Sequence, residues 1–125
     1  NAGFALGVVS NSDGRVAGAL AAAGLIDCFD AVIDSALAGV EKPDPRIFLT
    51  ALEALGVAPA EALYLGDLPD VDIAGARSAG LAAVMIVRRG AEAPAGVPLV
   101  NSVAELADRL IAAGAAPELE TWIQT

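Results

Sequence analysis

The sequence predicts an open α/β domain in which a mostly parallel sheet is covered by helices on both faces. Short apolar runs alternate with longer stretches of helical spacing, and glycine or proline stands at most of the junctions. The apolar runs lack the alternation of half-exposed strands, as expected when helices bury both faces of a parallel sheet. A chain of 125 residues is long enough for one domain of this kind with a real core.

Five apolar runs are candidate strands, and four stretches between them carry apolar residues at helical spacing. Gly24, Gly56 and Gly80 follow the first three of these stretches, where glycine commonly ends a helix. Ser102, with Glu105 three residues later, forms a capping box for the last helix. The predicted strands are 4–9, 31–33, 62–65, 82–87 and 99–100, and the predicted helices are 15–23, 45–55, 72–79 and 102–113.

Composition excludes several classes of protein. The net charge of −9 disfavours nucleic acid and anionic membrane surfaces as partners, although a small anionic ligand is compatible with it. The chain has one cysteine and no histidine, which excludes disulfides within the chain, histidine-ligated zinc and histidine-based triads. No apolar run approaches the ~18 residues of a membrane span. The start has neither methionine nor a basic region, so we expect a cytoplasmic protein whose sequence begins in mid-chain.

Two polar clusters follow candidate strands, at the edge of the sheet where open α/β folds bind ligands. Ser10-Asn11 follows the first strand, where a hydroxyl and free backbone N–H groups can bind an anion; Ser10 or Ser12 could instead cap the next helix. The second cluster is the segment 66–72, Gly-Asp-Leu-Pro-Asp-Val-Asp. Its three carboxylates suit a Mg²⁺ ion, and the alternative is an acidic helix N-terminus.

Lys42 is the only lysine, in a chain whose other six basic residues are all arginine. This usage suggests a position that needs a compact ammonium group instead of a planar guanidinium. The alternative is an ordinary solvated lysine ahead of a helix.

Taken in order, these three features resemble motifs of the haloacid dehalogenase superfamily. Ser10-Asn11 matches motif II, Lys42 with the following Pro-Asp-Pro matches motif III, and Gly66-Asp67 with Asp72 matches motif IV. Gly-Ala at 75–76 and Ala-Gly at 79–80 extend the match, which covers the chain from residue 3 to about residue 110. The resemblance implies a Rossmann-like fold of this family and a cis peptide bond between Lys42 and Pro43.

The resemblance also implies a mechanism and a role for each residue. A nucleophilic aspartate would attack phosphorus of a small phosphorylated metabolite to give an aspartyl-phosphate, which water then hydrolyses. Ser10 and the backbone near Asn11 would bind the phosphoryl oxygens. Lys42 would neutralise the negative charge of the nucleophile and of the transferring phosphoryl group. Asp67 would bind the Mg²⁺ cofactor directly, and Asp72 would act from the same metal site or orient a water bound to the metal. The part played by Asp70 stays open.

Motif I, which carries the nucleophile of the family, has no match anywhere in the 125 residues. The strand-end carboxylate Asp34 is followed two residues later by alanine, which does not fit the motif. We therefore expect a partial core domain at 1–116 with a C-terminal tail at 117–125, lacking both the motif I strand and the cap domain. The resemblance places the missing strand between the motif II and motif IV strands, which should then lie about two strand spacings apart, near 10 Å. The predicted function is a Mg²⁺-dependent phosphatase, present here as a fragment without its nucleophile. A metal-independent haloacid dehalogenase and a non-catalytic binding module are the alternatives, and neither the substrate nor the oligomeric state can be predicted.

Overall fold

The structure is a computed structural model that describes residues 5–86, 94–112 and 121–124. Over these ranges, six strands form one sheet in the order β2-β1-β6-β3-β4-β5, and every neighbouring pair is parallel. The predicted open, parallel α/β fold is therefore confirmed. The strands are β1 (Ala5–Ser10), β2 (Ala31–Asp34), β3 (Ala62–Gly66), β4 (Ala82–Ile86), β5 (Leu99–Val100) and β6 (Thr121–Gln124).

Helices lie in the four stretches that the periodicity of the sequence predicts, and the structure adds a short helix at Ser35–Ala38 that was not predicted. The helix predicted at 45–55 has those bounds in the structure. Asp44 caps its start, and Gly56, at φ 73°, ends it in the left-handed conformation. Residue 4, the predicted start of the first strand, lies outside the described ranges, as do residues 87 and 113, the predicted ends of one strand and one helix. The α-helices are α1 (Val16–Ala22), α2 (Ser35–Ala38), α3 (Pro45–Leu55), α4 (Ala74–Ser78) and α5 (Val103–Ala112), with short 3₁₀ turns at Ile26–Cys28 and Pro59–Glu61.

The helix predicted at 72–79 differs in its first half. A π-helical segment, Pro69–Ile73, precedes α4, and the carbonyl of Leu68 accepts from the N–H groups of both Asp72 and Ile73. The wider turn starts the helical path three residues earlier than predicted. None of the helices in the described ranges is long and apolar enough to cross a membrane.

The core lies on both faces of the sheet, because successive side chains of β3 point to opposite sides. On one face, Tyr64 packs with Phe48 of α3 and Ala76 of α4. On the other face, Leu63 and Leu65 pack with residues of β4 and β5 and with Leu106 of α5. All five residues of β3 are buried, which explains why its sequence is apolar without alternation.

The strand β6 lies between β1 and β3, so these two strands are not hydrogen-bonded to each other. Thr121–Gln124 pairs with residues 5–8 on one side and residues 62–65 on the other. The sequence predicts such a gap between the motif II and motif IV strands, and the separation is confirmed. Its occupant differs from expectation, since four residues of the segment set apart as a tail fill it. Thr, Trp and Ile favour strands, and a filled gap leaves fewer buried backbone groups unpaired.

Helix α4 packs closely because Gly75 has no side chain. A methyl carbon added there would lie 2.7 Å from Cε2 of Phe48 and 3.0 Å from Cα of Pro43. We expect Gly75→Ala to lower the free energy of unfolding by about 1–3 kcal/mol in urea denaturation, as overpacking typically does. Gly18→Ala in α1 is the matched control, since nothing lies within 4 Å of the added carbon. The control should be neutral or stabilising because alanine favours helix; equal effects at both positions would contradict the packing argument.

Candidate active site

The end of β1 is joined to the segment before α3 through one side-chain amide. Asn11 accepts a hydrogen bond from the backbone N–H of Lys42 at 2.8 Å and donates one to its carbonyl at 3.1 Å. Ser10, the last residue of β1, is half-buried beside this contact. The Lys42–Pro43 peptide bond is cis, as the sequence analysis predicts. The Asn11 side chain thus holds the backbone of Lys42 against the end of β1.

The loop after Ser10 is held by Asp34, a residue that the sequence analysis compared with motif I and rejected as the nucleophile. Asp34 is buried at the end of β2, and its carboxylate accepts from the N–H groups of Gly14, Val16 and Ala36 at 3.0–3.2 Å. The hydroxyl of Ser35 accepts from the neighbouring backbone N–H of residue 12 at 2.8 Å. A strand-end carboxylate followed by Ser was the available signal, because such residues commonly cap local turns.

Lys42 lies at the centre of a buried polar cluster at the carboxyl ends of β1 and β3. Its Nζ donates to Oδ1 of Asp72 at 2.6 Å and to the hydroxyl of Tyr64 at 3.0 Å. The side chains of Lys42 and Asp72 are 4% and 1% exposed, so this is a fully buried ion pair. Burial lowers the pKa of Lys42 from its ordinary value, while the hydrogen bond to Asp72 and the charges of Asp72 and Asp67 oppose that shift.

Asp72 also shapes the segment that follows β3. Its second oxygen, Oδ2, accepts from the N–H groups of Asp67 and Leu68 at 3.1 and 3.0 Å. A methyl carbon added at Gly66 would lie 2.3 Å from Cβ of Asp72, so this close approach requires glycine. Contact with Asp72 is therefore the observed reason for glycine at this position.

The structure therefore brings Ser10, Asn11, Lys42, Asp67 and Asp72 to one edge of the sheet. Both oxygens of Asp72, predicted as a metal ligand, are bonded to protein donors, whereas Asp67 is half-buried in the loop above. Asp70 is exposed. No group of three or more carboxylate or thiol side chains suited to a metal occurs in the described part of the chain.

A parallel α/β sheet with a lysine paired to a carboxylate at its carboxyl edge fits the hydrolase family suggested by the motifs. The sequence model for haloacid dehalogenase-like hydrolases matches residues 1–80, and the chain belongs to this family.

Individual relatives include proteins of two activities. The chain is 51% identical over 69 residues to a phosphoserine phosphatase of Thermus thermophilus, a match that covers 55% of the chain and 28% of the relative. It superimposes with a TM-score of 0.79 on a phosphatase of the same superfamily from Thermococcus onnurineus, at 36% identity, covering 86% of the chain and 51% of that protein. A 2-haloacid dehalogenase from Pseudomonas syringae gives a TM-score of 0.74 at 32% identity, covering 89% and 48%. The chain thus spans between about a quarter and a half of these relatives.

Proposed function

We propose that this chain is the C-terminal part of a phosphatase core that hydrolyses a small phosphorylated metabolite. The observation that carries the proposal is the buried ammonium of Lys42, fixed at 2.6 Å from Asp72 at the edge where β1 and β3 end. A fixed cation in a buried site is suited to stabilising the negative charge of a transferring phosphoryl group. The sequence similarity to a phosphoserine phosphatase supports this class of substrate.

Each residue has a proposed role in that reaction. Ser10 and the backbone N–H of Asn11 bind phosphoryl oxygens, and Lys42 neutralises their charge. Asp72 holds Lys42 and the backbone of residues 67 and 68 in place. The nucleophile is an aspartate outside this sequence, which displaces the alcohol to form an aspartyl-phosphate; water then releases phosphate.

Mg²⁺ is the proposed cofactor, and the residues described fit part of a site for it. Asp67 supplies a half-buried carboxylate beside the lysine, of the oxygen type that Mg²⁺ prefers. Asp72 supports the proposed metal site from the same loop, because its carboxylate holds Lys42 and the backbone N–H of residue 67 in place. When bound, the metal neutralises phosphoryl charge and orients the group for attack. Its remaining ligands would come from outside the 125 residues and from water.

A haloacid dehalogenase is the second candidate, because one solved relative carries that name. Dehalogenases of this superfamily need no metal, and the resemblance associates their motif IV with serine-containing residues in place of Gly-Asp. Gly66-Asp67 therefore favours the phosphatase. Release of halide from a 2-haloacid without added metal would instead favour the dehalogenase. A non-catalytic module would have neither activity in a longer protein.

We expect the 125-residue chain to hydrolyse no aryl phosphate, even with saturating Mg²⁺, because the attacking group is absent. A protein extended upstream to include motif I should hydrolyse the aryl phosphate, and the measurement is phosphate release by both proteins.

In the extended protein, Asp67→Asn should lower kcat by at least about a hundredfold, as expected for loss of a group that stabilises the transition state. Asp70→Asn is the matched control, since it removes an exposed carboxylate from the same loop and should leave kcat nearly unchanged. Turnover by the short chain that Asp67→Ala abolishes would show that the nucleophile lies within it.

A further inference from the structure

Tyr64, which no motif includes, places a hydroxyl group inside the polar cluster of the site. Its side chain is completely buried in β3, and its ring packs edge-to-face against Phe48 at 4.9 Å between centroids. A buried tyrosine hydroxyl normally needs hydrogen-bond partners. Here the hydroxyl accepts from Nζ of Lys42 at 3.0 Å and lies 3.3 Å from the carbonyl of Val9, to which it donates.

These contacts connect β1, β3 and the segment that carries Lys42 through one oxygen atom. Val9 directly precedes Ser10, so the hydroxyl ties the ammonium of Lys42 to the end of β1. The same hydroxyl lies 3.4 Å from Oδ1 of Asp72, the counter-ion of the lysine. A lysine side chain has four flexible carbon–carbon bonds, so each hydrogen bond to its ammonium group restricts the direction in which that group points.

We propose that Tyr64 is a positioning residue that fixes the Lys42 ammonium relative to Ser10 for binding a phosphoryl group. The inference rests on the proposed phosphatase function and assigns it a further residue. Removing the hydroxyl leaves the ion pair with Asp72 in place but removes the link to β1. The ammonium then samples more orientations, and phosphate loses part of its electrostatic stabilisation.

The chain allows a direct test because it contains a single lysine and a single tyrosine. Protein labelled with ¹⁵Nζ- and ¹³Cε-lysine and ¹³Cζ-tyrosine gives one NMR signal for each labelled atom, without the need for turnover. Inorganic phosphate is titrated into the 125-residue chain, into Tyr64→Phe, and into Val84→Ala. Val84 is buried on the opposite face of the sheet, so the last variant lowers stability without touching the lysine.

We expect phosphate to shift the Lys42 signals in the unmodified chain and in Val84→Ala with the same Kd. Tyr64→Phe should raise that Kd about five- to tenfold and should speed exchange of the ammonium protons with water, as expected for loss of a hydrogen bond to a charged group. In the unmodified chain, the Tyr64 signal should move with the same Kd as Lys42.

Several results would overturn the inference. One is an unchanged Kd together with unchanged proton exchange in Tyr64→Phe. Another, which applies even if that variant does not fold, is a Tyr64 signal that stays fixed while the Lys42 signals shift. If phosphate moves no lysine signal in the unmodified chain, the proposed phosphate site fails instead. The proton-exchange comparison between the unmodified chain and Tyr64→Phe then still decides whether Tyr64 positions the lysine.

Discussion

Lys42→Met is expected to lower the free energy of unfolding by about 3–5 kcal/mol, the usual effect of removing one partner of a buried ion pair. Methionine retains most of the apolar stem of lysine but removes the charge. Asp72, 1% exposed, would then keep its bonds to two backbone N–H groups without its counter-ion. An uncompensated buried carboxylate is the costly feature, more than the lost contact itself. Urea denaturation, monitored by circular dichroism, measures the change in the free energy of unfolding.

A double variant tests this explanation. In Lys42→Met with Asp72→Asn, both charges of the buried ion pair are removed together, and the asparagine oxygen can still accept from the backbone. The double variant should therefore recover much of the stability lost in the single one, and a double variant as unstable as the single one would contradict the argument. Arg46→Met is the surface control: its ion pair with Asp44 at 2.8 Å involves an arginine side chain that is 71% exposed. Solvent screens such pairs, so the unfolding midpoint should barely move.

Ile123→Pro should be similarly damaging, because β6 pairs with a strand on each side. Proline has no N–H and is largely confined to edge strands, whereas position 123 lies in the middle of the sheet, opposite residues 7 and 64. The substitution removes one ladder hydrogen bond and distorts its neighbours. Unpaired buried backbone groups cost about 1–3 kcal/mol each, so we expect a loss of at least about 3 kcal/mol or failure to fold.

Ile123→Val is the matched control, since it keeps the N–H and a β-branched side chain that favours strands. It should fold with a stability close to that of the unmodified chain. Hydrogen exchange of the amides in residues 5–8 and 62–65 gives an independent reading, because loss of β6 should expose both flanking strands. A proline variant with normal stability and protected amides would mean that β6 is not needed in the centre of the sheet.

Local chemistry predicted most of the individual elements. The bounds of α3 follow from Asp44 and Gly56, which cap the two ends of the helix, so no distant contact is needed to define it. The end of β3 at Gly66 and the polar residues after it are equally local signals. The π-helical start at 69–73 was not predictable in this way, because it depends on where the Asp72 carboxylate lies relative to Leu68.

The candidate site was predictable as a set of residue types but not as a network. Motif order alone brought Ser10, Lys42 and Asp67 together at one edge, since parallel strands end on the same side of a sheet. The partners within the cluster were not predictable: Tyr64 is an ordinary apolar-run residue in the sequence, and Asn11 gave no sign that its side chain holds a backbone 31 residues away.

The sequence by itself determined the fold class, the bounds of α3 and the chemical type of each site residue. Each of these depends on residues a few positions apart, whose periodicity and capping act within a single element. The tertiary structure alone decided which strand fills the centre of the sheet, why Gly66 must be glycine and which groups surround the lysine. Those features depend on contacts between residues that are distant in the chain, and the free energy of such contacts exists only once the sheet has formed.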